Sequence, residues 1–381
     1  MMRSLSILYV AYPLLAVTEE SAGGAEQMLL TLEREMNARG HRTTVAASEG
    51  SRISGRLLAT GAPAGGPDQY EAREREHKRR ILEYLRRHPH DFDLIHDKSG
   101  SFFREARQCS VPMLATLHLP RGFYPDEWFR DRTQLGGQTN ATNPLPGPTL
   151  AGRQPAWESR PSLHFNCVSQ SQARSFTDCA NVIGVVENGI AVERCPFTRD
   201  KEGYVLWLGR ICEEKAPHLA IAAAQRAGMP LVIAGQVYPF SYHQAYFERA
   251  IRPHLDGRQQ IRFVDTPLSS QKLHLLSHAR ALLLTSTVEE TSSLVAMEAM
   301  ACGTPVMAFR RGAFPEIVAD AETGFIVDKV EEMASALKEA GRISPETCRA
   351  HVEHNFRASR MAQDYEELYR RVLAGAKELA A

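Results

Sequence analysis

The chain alternates short apolar runs with amphipathic helical segments along its whole length. This alternation is typical of parallel sheets covered by helices on both faces, because parallel strands need long crossover connections and are buried on both sides. The sequence therefore predicts an α/β fold. Six strands are predicted in the first half, at 5–11, 43–47, 94–96, 113–118, 165–169 and 182–186, and six in the second half, at 204–208, 231–234, 261–264, 282–284, 306–309 and 325–327.

The length and composition of the chain favour two domains. With 381 residues, of which 43% are hydrophobic, it can bury two cores of ordinary size. The strand pattern begins again after the polar segment 195–203, which contains both Pro and Gly and is predicted to be the interdomain linker. We therefore expect an N-terminal domain over 1–195 and a C-terminal domain over 203–356.

Charge and cysteine usage limit the partners and the compartment. Lys plus Arg and Asp plus Glu both number 45, so the chain has no net basic field and nucleic acid is not an expected partner. The seven cysteines are scattered without a Cys-x-x-Cys pair, which favours free thiols in a reducing, cytoplasmic environment. The apolar run 5–17 is too short to span a membrane and lacks a small-x-small cleavage site, so a first buried strand is expected there rather than a signal peptide.

Two irregular segments interrupt this pattern, and one predicted helix is unusually basic. Residues 51–67 are rich in Gly, Ala and Pro and are predicted to form a mobile loop, and 121–161 form a longer irregular stretch. The aromatic residues of the second stretch could stack on an acceptor or pin the loop to its domain: Phe123, Tyr124, Trp128 and Phe129. The helix predicted over 68–88 is basic, but its Glu-to-Lys/Arg pairs at i, i+4 favour a solvated face, so membrane association is possible but not indicated.

Two carboxylates, Glu290 and Glu298, lie across a predicted loop-to-helix junction in otherwise apolar sequence. A carboxylate in such a helix is costly unless it is paired or hydrogen-bonded, so Glu298 needs a partner. That partner could be neighbouring structure or a ligand.

Cations and free amides converge on the same junction. Arg210 follows a predicted strand, and Lys215 lies five residues later, at the sheet edge where open parallel sheets bind ligands and where both cations could hold phosphate. Ser292 or Ser293 is a natural helix cap, which leaves the amides of Ser293, Leu294 and Val295 facing outward toward an anion. Glu298 lies one turn below Leu294, so a nucleoside diphosphate would fit, with its diphosphate on the amides and its ribose on Glu298.

The first half contributes two weaker candidates. Gly23 and Gly24 follow the first strand at the start of a helix, where backbone could approach a phosphate closely, although a Gly-Gly pair is usually only a turn. His118 ends a buried strand, a position at which most histidines are structural.

These motifs, taken together and in order, resemble glycosyltransferase family four, the retaining enzymes of GT-B fold. The resemblance is carried by Gly23-Gly24-Ala25-Glu26, Thr116-Leu117-His118, Gly209-Arg210 with Lys215, and above all 290–298 followed by Ala299-Met300-Ala301-Cys302-Gly303-Thr304-Pro305. It implies two Rossmann-like domains with parallel sheets facing across a cleft. It further implies an acceptor-side first domain, a donor-binding second domain and a C-terminal helix, about 357–379, that crosses back to the first.

The resemblance also implies an activity and a role for each residue. The activity is transfer of a hexose from a nucleotide diphosphate sugar to an acceptor not yet identified, with no metal and no cofactor. Arg210 and Lys215 would neutralise the diphosphate, Glu298 would hold the ribose, and Glu290 would contact hydroxyls of the transferred sugar. His118 would approach the donor sugar, and the Gly23-Gly24 loop would close over the phosphates. Configuration would be retained through front-face attack, with a donor phosphate oxygen taking the acceptor proton.

The chain departs from the family pattern at three places near this site. Thr285-Ser286 stands where Pro-Ser is frequent, Ser292-Ser293 where Phe-Gly is frequent, and Ala216-Pro217 where Gly follows the lysine. Because of the first two departures, the sequence does not determine which nucleotide sugar is the donor. The third is predicted to matter less, because Pro suits the first turn of a helix.

Of three alternatives at the level of sequence, the first is disfavoured and the other two stay open. A metal-dependent GT-A transferase would need an acidic pair after a strand, whereas Asp91-Phe92-Asp93 precedes its strand and is typical of a turn. A nucleotide-sugar epimerase of the same fold would bind the same donor, and acceptor-dependent transfer separates the two. A non-catalytic nucleotide-sugar-binding protein is the third.

Overall fold

A computed structural model of the chain describes residues 3–21, 23–64, 67–130, 163–176, 181–255 and 260–378. The chain divides into two compact units. The first unit comprises 1–167, 175–185 and 364–381; the second comprises 168–174 and 186–363. The segment 195–203, predicted to be the linker, lies in the second unit by its contacts.

The first unit is built on a seven-stranded parallel sheet in the order β3-β2-β1-β4-β5-β6-β7. Its strands are β1 (Ser6–Val10), β2 (Arg42–Ala47), β3 (Arg56–Ala59), β4 (Leu94–Asp97), β5 (Met113–Thr116), β6 (Leu163–Cys167) and β7 (Val182–Val185). Its helices are α1 (Gly24–Ala38), α2 (Pro67–Arg87) and α3 (Glu127–Arg130), together with most of the C-terminal helix α12 (Ala358–Glu378).

The second unit is built on a six-stranded parallel sheet in the order β10-β9-β8-β11-β12-β13. Its strands are β8 (Val205–Leu208), β9 (Leu231–Gly235), β10 (Ile261–Asp265), β11 (Leu282–Leu284), β12 (Val306–Phe309) and β13 (Gly324–Val327). Its helices are α4 (Gln170–Arg174), α5 (Pro217–Ala227), α6 (Ser241–Ala250), α7 (Ser269–His278), α8 (Leu294–Ala301), α9 (Phe314–Ile317), α10 (Val330–Glu339) and α11 (Pro345–Asn355).

The central strands β8, β9, β11 and β12 of the second sheet are buried at every position, because their side chains alternate between two cores. On β8, Leu206 and Leu208 join one hydrophobic cluster, whereas Val205 and Trp207 join the other. Burial on both sides explains why such strands show continuous apolar runs in the sequence. All twelve predicted strands are present, and their ends differ from the predicted ones by at most two residues.

The prediction of a mobile loop over 51–67 is wrong in its centre. Residues Arg56–Ala59 form β3, the edge strand, which pairs in parallel with β2 in a register that sets Leu57 opposite Val45. Only two large apolar residues, Leu57 and Leu58, mark this strand, and its ends are exposed, so pairing with β2 rather than local sequence decides its structure. Residues 131–161 of the second irregular stretch lie outside the described part of the chain.

The surface helix α2 carries the three predicted ion pairs. Glu71 pairs with Arg75 at 3.8 Å, Glu74 with Lys78 at 3.3 Å and Glu76 with Arg80 at 2.7 Å. Lys78 is nevertheless nearly buried, so the helix face is less solvated than predicted at that position. No helix in the described ranges is long and apolar enough to cross a membrane.

The cysteines match the prediction of free thiols wherever the structure describes them. Six are unpaired and buried: Cys109, Cys167, Cys195, Cys212, Cys302 and Cys348. Cys179 lies outside the described residues.

Strand order fixes where a ligand site can form. In the second sheet the order reverses between β8 and β11, so the loops that follow these two strands leave in opposite directions and open a crevice at the carboxyl ends. In the first sheet the same reversal lies between β1 and β4. The segments 209–216 and 285–293 therefore meet at the switch point of the second sheet.

Two buried histidines should make the stability of the first unit depend on pH. Burial lowers the pKa of His77 to about 3, and burial lowers the pKa of His96 well below its ordinary value. Below about pH 6.5 these two histidines bind protons in the unfolded chain but stay neutral in the folded chain. The free energy of unfolding that is present above that pH is therefore lost as the pH falls. We expect the free energy of unfolding to decline by up to about 1.4 kcal/mol per pH unit for each histidine.

Urea unfolding at about pH 7.5, 6 and 5 measures this slope. Burial raises the pKa values of Glu26 and Asp97, which oppose the decline in the more acidic part of the range. Replacing His77 with Gln should flatten the slope, whereas replacing the exposed His90 with Gln should leave it unchanged. If the free energy of unfolding depended on pH equally in the unmodified protein and in both variants, His77 would not be a source of the pH dependence.

Candidate functional site

The start of the loop after β8 is fixed by two glycines in close contact, Gly209 in the loop and Gly235 in β9. Gly235, at the end of β9, has a φ of 152°, and a Cβ there would lie 1.8 Å from the carbonyl oxygen of Gly209. Only glycine permits this approach. The contact fixes the direction in which the chain leaves β8, and therefore the starting position of Arg210, which pairs with Glu214 at 3.1 Å.

The rest of this loop is held by the segment that follows β11. Thr285 Oγ1 lies 2.8 Å from the carbonyl oxygen of Ala216 and accepts a hydrogen bond from the Trp207 indole at 3.1 Å. The Thr287 amide donates to the carbonyl of Glu214 at 2.9 Å. Thr285 and Thr287 together support the backbone on either side of Lys215, which gives the threonine at position 285, a departure from the family pattern, a structural role.

Both predicted carboxylates form ion pairs with lysines. Lys215 Nζ lies 2.5 Å from Glu290 Oε1, and Lys272 Nζ lies 2.7 Å from Glu298 Oε1. Both glutamates are largely buried, with 11% and 14% of their side chains exposed, so the cations offset a sizeable desolvation cost. The partner that Glu298 was expected to need is Lys272 on α7, which the sequence reasoning missed because no local pattern links the two helices.

The first turn of α8 presents free backbone donors. Ser293 is the N-cap, and its hydroxyl accepts a hydrogen bond from the Ala296 amide at 3.3 Å. Within the described residues, the amides of Leu294 and Val295 have no hydrogen-bond partner. Such amides, with the positive end of the helix dipole, favour an anion. Ser293 is therefore the N-cap, as predicted, and the binding of an anion by the amides at this helix start stays a prediction.

The loop that carries Glu289 and Glu290, called the acidic loop below, is supported by a glycine that the sequence did not indicate. The Ala313 amide donates to the Glu290 carbonyl at 2.7 Å, and the Gly312 amide donates to the Glu289 carboxylate. Gly312 has a φ of 52°, and a Cβ there would lie 2.1 Å from the Glu290 carbonyl oxygen. The β12–α9 connection therefore fixes the backbone of Glu290.

Position 216, where the family frequently has Gly and this chain has Ala, affects the backbone more than the sequence indicated. Ala216 is the N-cap of α5 in the left-handed conformation, with φ 48° and ψ 52°, and Pro217 follows at the first helical position. A side chain is strained in this conformation, whereas glycine adopts it freely.

Ala216→Gly is expected to stabilise the protein by about 0.5–1 kcal/mol, because relief of the strain exceeds the added flexibility of the unfolded chain. Ala222→Gly, inside the same helix, should destabilise by about 1 kcal/mol. Chemical unfolding of both variants measures the difference. Equal losses would show that Ala216 is unstrained.

His118 lies just beyond β5 in the first unit. Its amide donates to the Tyr124 hydroxyl at 3.1 Å. Burial, followed by the charge of Lys98, lowers the pKa of His118 well below its ordinary value, so the imidazole is neutral at physiological pH. Lys98 is itself buried and donates to the Tyr365 hydroxyl at 3.2 Å.

The Gly23-Gly24 pair begins α1. Gly23 is the N-cap residue, and a Cβ there would lie 1.9 Å from the Glu26 carboxylate. Absence of a side chain at Gly23 lets Glu26 fold back over the helix start, where burial raises its pKa. The prediction that this loop closes over phosphates is not tested by this arrangement.

The aromatic residues after His118 serve mainly as packing. Tyr124 and Phe129 are buried, and Phe129 contacts the rings of Phe103, Phe165 and Phe176. Phe123, in contrast, is 61% exposed.

Two groups of side chains have the composition of metal ligands. The exposed group on the second unit is Glu202, His274 and His278; the other is Cys212, Glu214 and His243, in which Cys212 and His243 are buried. In each group the ligand atoms lie within 4.8 Å of one another. Burial raises the pKa of Cys212 to about 11 and lowers that of His243.

Two family models match consecutive parts of the chain. The model for glycosyltransferase family 4 matches residues 22–194, and the model for glycosyl transferases group 1 matches residues 194–351. Together they extend without a gap over most of the sequence.

Curated relatives match shorter segments. The D-inositol 3-phosphate glycosyltransferase of Mycobacteroides abscessus is 32% identical over 169 residues, which are 43% of this chain and 38% of the relative. The glycogen synthase of Mycobacterium tuberculosis is 29% identical over 252 residues, 62% of this chain and 55% of the relative. The chain thus aligns with roughly two fifths to just over half of the length of these relatives.

Solved structures match the whole fold. Sucrose-phosphate synthase from Thermosynechococcus elongatus has a TM-score of 0.75 at 18% identity and covers 98% of this chain and 100% of its own. Anabaena HepE in complex with UDP-glucose has a TM-score of 0.69 at 15% identity, covering 96% and 100%. The predicted α/β fold with two Rossmann-like domains is confirmed, and the chain belongs to glycosyltransferase family four, of GT-B type.

Proposed function

We propose that the chain is a retaining, metal-independent hexosyltransferase that uses a nucleotide diphosphate sugar as donor. The observation that carries the proposal is the contact between Lys215 and Glu290 at the switch point of the second sheet, beside the free amides of α8. Cations, amide donors and a carboxylate in this arrangement suit a molecule that carries both a diphosphate and hydroxyl groups. That Anabaena HepE is crystallised with UDP-glucose supports the same class of donor.

In the proposed complex the diphosphate lies at the first turn of α8. The amides of Leu294 and Val295 donate to it, and Arg210 and Lys215 supply positive charge. Lys215 then exchanges one anion, Glu290, for another, the diphosphate. The exchange frees the Glu290 oxygens to accept hydrogen bonds from hydroxyls of the transferred sugar.

Glu298 holds the ribose in this proposal. Its Oε1 is paired with Lys272, and its second oxygen can accept from a ribose hydroxyl. Lys272 orients the carboxylate through this ion pair, so it acts on the ribose only through Glu298.

The first domain, over 1–195 with the helix 357–379, supplies the acceptor side in this proposal. The Gly23-Gly24 loop covers the donor phosphates, and neutral His118 bonds to a sugar hydroxyl without adding charge near the reacting carbon. The acceptor proton passes to a donor phosphate oxygen on the face from which the leaving group departs. The protein's main task is then to stabilise charge that develops on the diphosphate.

Arg210→Ala tests the donor site by binding. Loss of charge-assisted hydrogen bonds to phosphate should weaken binding of the preferred nucleoside diphosphate by roughly 10- to 100-fold. Arg226→Ala is the control, because Arg226 is also a half-exposed arginine of the second unit paired with a glutamate, at 3.2 Å from Glu331. Calorimetry with UDP, GDP and ADP measures both variants. Equal affinities would overturn the donor-site assignment.

Turnover distinguishes the remaining functions. Transfer predicts release of nucleoside diphosphate that increases when acceptor is added and continues in the presence of EDTA. An epimerase would interconvert sugars without an acceptor, and a binding protein would do neither.

A further inference from the structure

A second group of side chains lies partly within the loop that carries Arg210 and Lys215, and none of the three is assigned a contact with the donor in the proposed transfer. Cys212 and Glu214 belong to the connection between β8 and α5, and His243 lies in the first turn of α6. Their ligand atoms, one from each side chain, all lie within 4.8 Å of one another. Three residues from two chain segments thus converge on one point.

The chemistry of the three side chains suits a divalent transition metal. Zinc accepts thiolate sulfur, imidazole nitrogen and carboxylate oxygen, and three protein ligands plus water complete a tetrahedron. In such a site neighbouring ligand atoms are roughly 3.5 Å apart, so the present arrangement needs to contract by at most on the order of 1 Å. A thiolate, a carboxylate and a neutral imidazole balance the two charges of the ion, which lowers the cost of binding it in a partly buried place.

An independent observation points to a missing partner. His243 is 2% exposed, and its Nδ1 is buried without a hydrogen-bond partner among the residues that the structure describes. Buried polar atoms are satisfied in nearly all native structures, so this nitrogen calls for an explanation. A metal ion at the point where Cys212 and Glu214 converge would provide one.

We propose that Cys212, Glu214 and His243 bind a divalent transition-metal ion, with zinc the ion that this ligand set suits best. Glu214 also pairs with Arg210 at 3.1 Å. A carboxylate has two oxygens, so Glu214 can bind the ion with one and keep Arg210 with the other, an outer contact that orients the ligand. The site goes beyond the proposed function, in which transfer uses no metal, and its test measures binding rather than turnover.

The experiment is a titration of the protein with Co²⁺, which substitutes for zinc and gives a thiolate-to-cobalt charge-transfer band only when sulfur is a ligand. All proteins carry His274→Ala, which disables the exposed Glu202, His274 and His278 group. One equivalent of Co²⁺ should produce the band, and Zn²⁺ should displace it. Cys212→Ala should abolish the band, whereas Cys348→Ala, at an equally buried cysteine of the same unit, should keep it.

His243→Ala provides a second measurement that leaves the thiol in place. Loss of this ligand should weaken Co²⁺ binding at least about 10-fold, as loss of even an outer contact does in known sites. Circular dichroism checks that each variant is folded. Absence of the band in the parent protein, its persistence in Cys212→Ala, or unchanged Co²⁺ affinity in His243→Ala would each overturn the proposal.

Discussion

Lys215→Ala is expected to lower kcat/KM for sugar transfer by about 100- to 1,000-fold, the usual loss when one preorganised group that stabilises developing charge is removed. Lys215 is the cation that the structure places against Glu290, and in the proposed complex it neutralises the leaving diphosphate. Its removal also leaves the largely buried Glu290 without a counter-charge, which destabilises an anionic donor further. Initial rates with saturating acceptor measure the loss.

The control is Lys338→Ala, an exposed lysine in the last turn of α10, which should leave the rate within about twofold. Lys215→Met tests whether the effect comes from charge rather than from packing of the side-chain stem, and should be as slow as Lys215→Ala. Normal turnover by a folded Lys215→Ala protein would remove this residue from the site.

The regular part of the fold could be predicted because its signals are local. A strand such as β8 is buried on both faces and therefore apolar at every position, and a helix such as α2 shows ion pairs at fixed spacing. The edge strand β3 carries neither signal. Its pairing with β2 is a long-range contact, which no pattern within 56–59 encodes.

The candidate site could be predicted only as far as its residues carry chemistry. Charges and caps identified Lys215, Glu290 and Ser293, since a carboxylate in apolar sequence and a serine before a helix have definite physical needs. Lys272 was missed because a lysine on a helix surface is ordinary until the fold brings it to Glu298. Gly312 was missed for a related reason, since its need for a small side chain arises only from the opposing loop.

Backbone conformation accounts for one wrong expectation. The sequence Ala216-Pro217 predicts the start of a helix, where proline is favourable in the first turn. In the structure the turn into α5 requires a left-handed residue at that point, which favours glycine. Handedness at a single position follows from how β8 and α5 are connected, and residue type alone does not reveal it.

Gly312→Ala is the second large effect that we expect, and it separates sugar recognition from nucleotide binding. The new Cβ would lie 2.1 Å from the Glu290 carbonyl oxygen and 2.4 Å from its amide nitrogen, so the acidic loop has to move. A displacement of about 1 Å at a positioning residue can cost about 100-fold in rate. We therefore expect kcat to fall by about that factor, with a loss of about 1–3 kcal/mol in stability from overpacking.

Nucleoside diphosphate binding should change much less, because the amides of Leu294 and Val295 and the loop that carries Arg210 do not rest on Gly312. Calorimetry with the nucleoside diphosphate and initial rates with the nucleotide sugar measure the two effects on the same protein. Gly203→Ala is the matched control, since a Cβ there meets nothing within 4 Å. If rate and nucleotide affinity fell together, Gly312 would support the phosphate site as a whole; if neither changed, the acidic loop would tolerate the shift and Glu290 would not depend on this support.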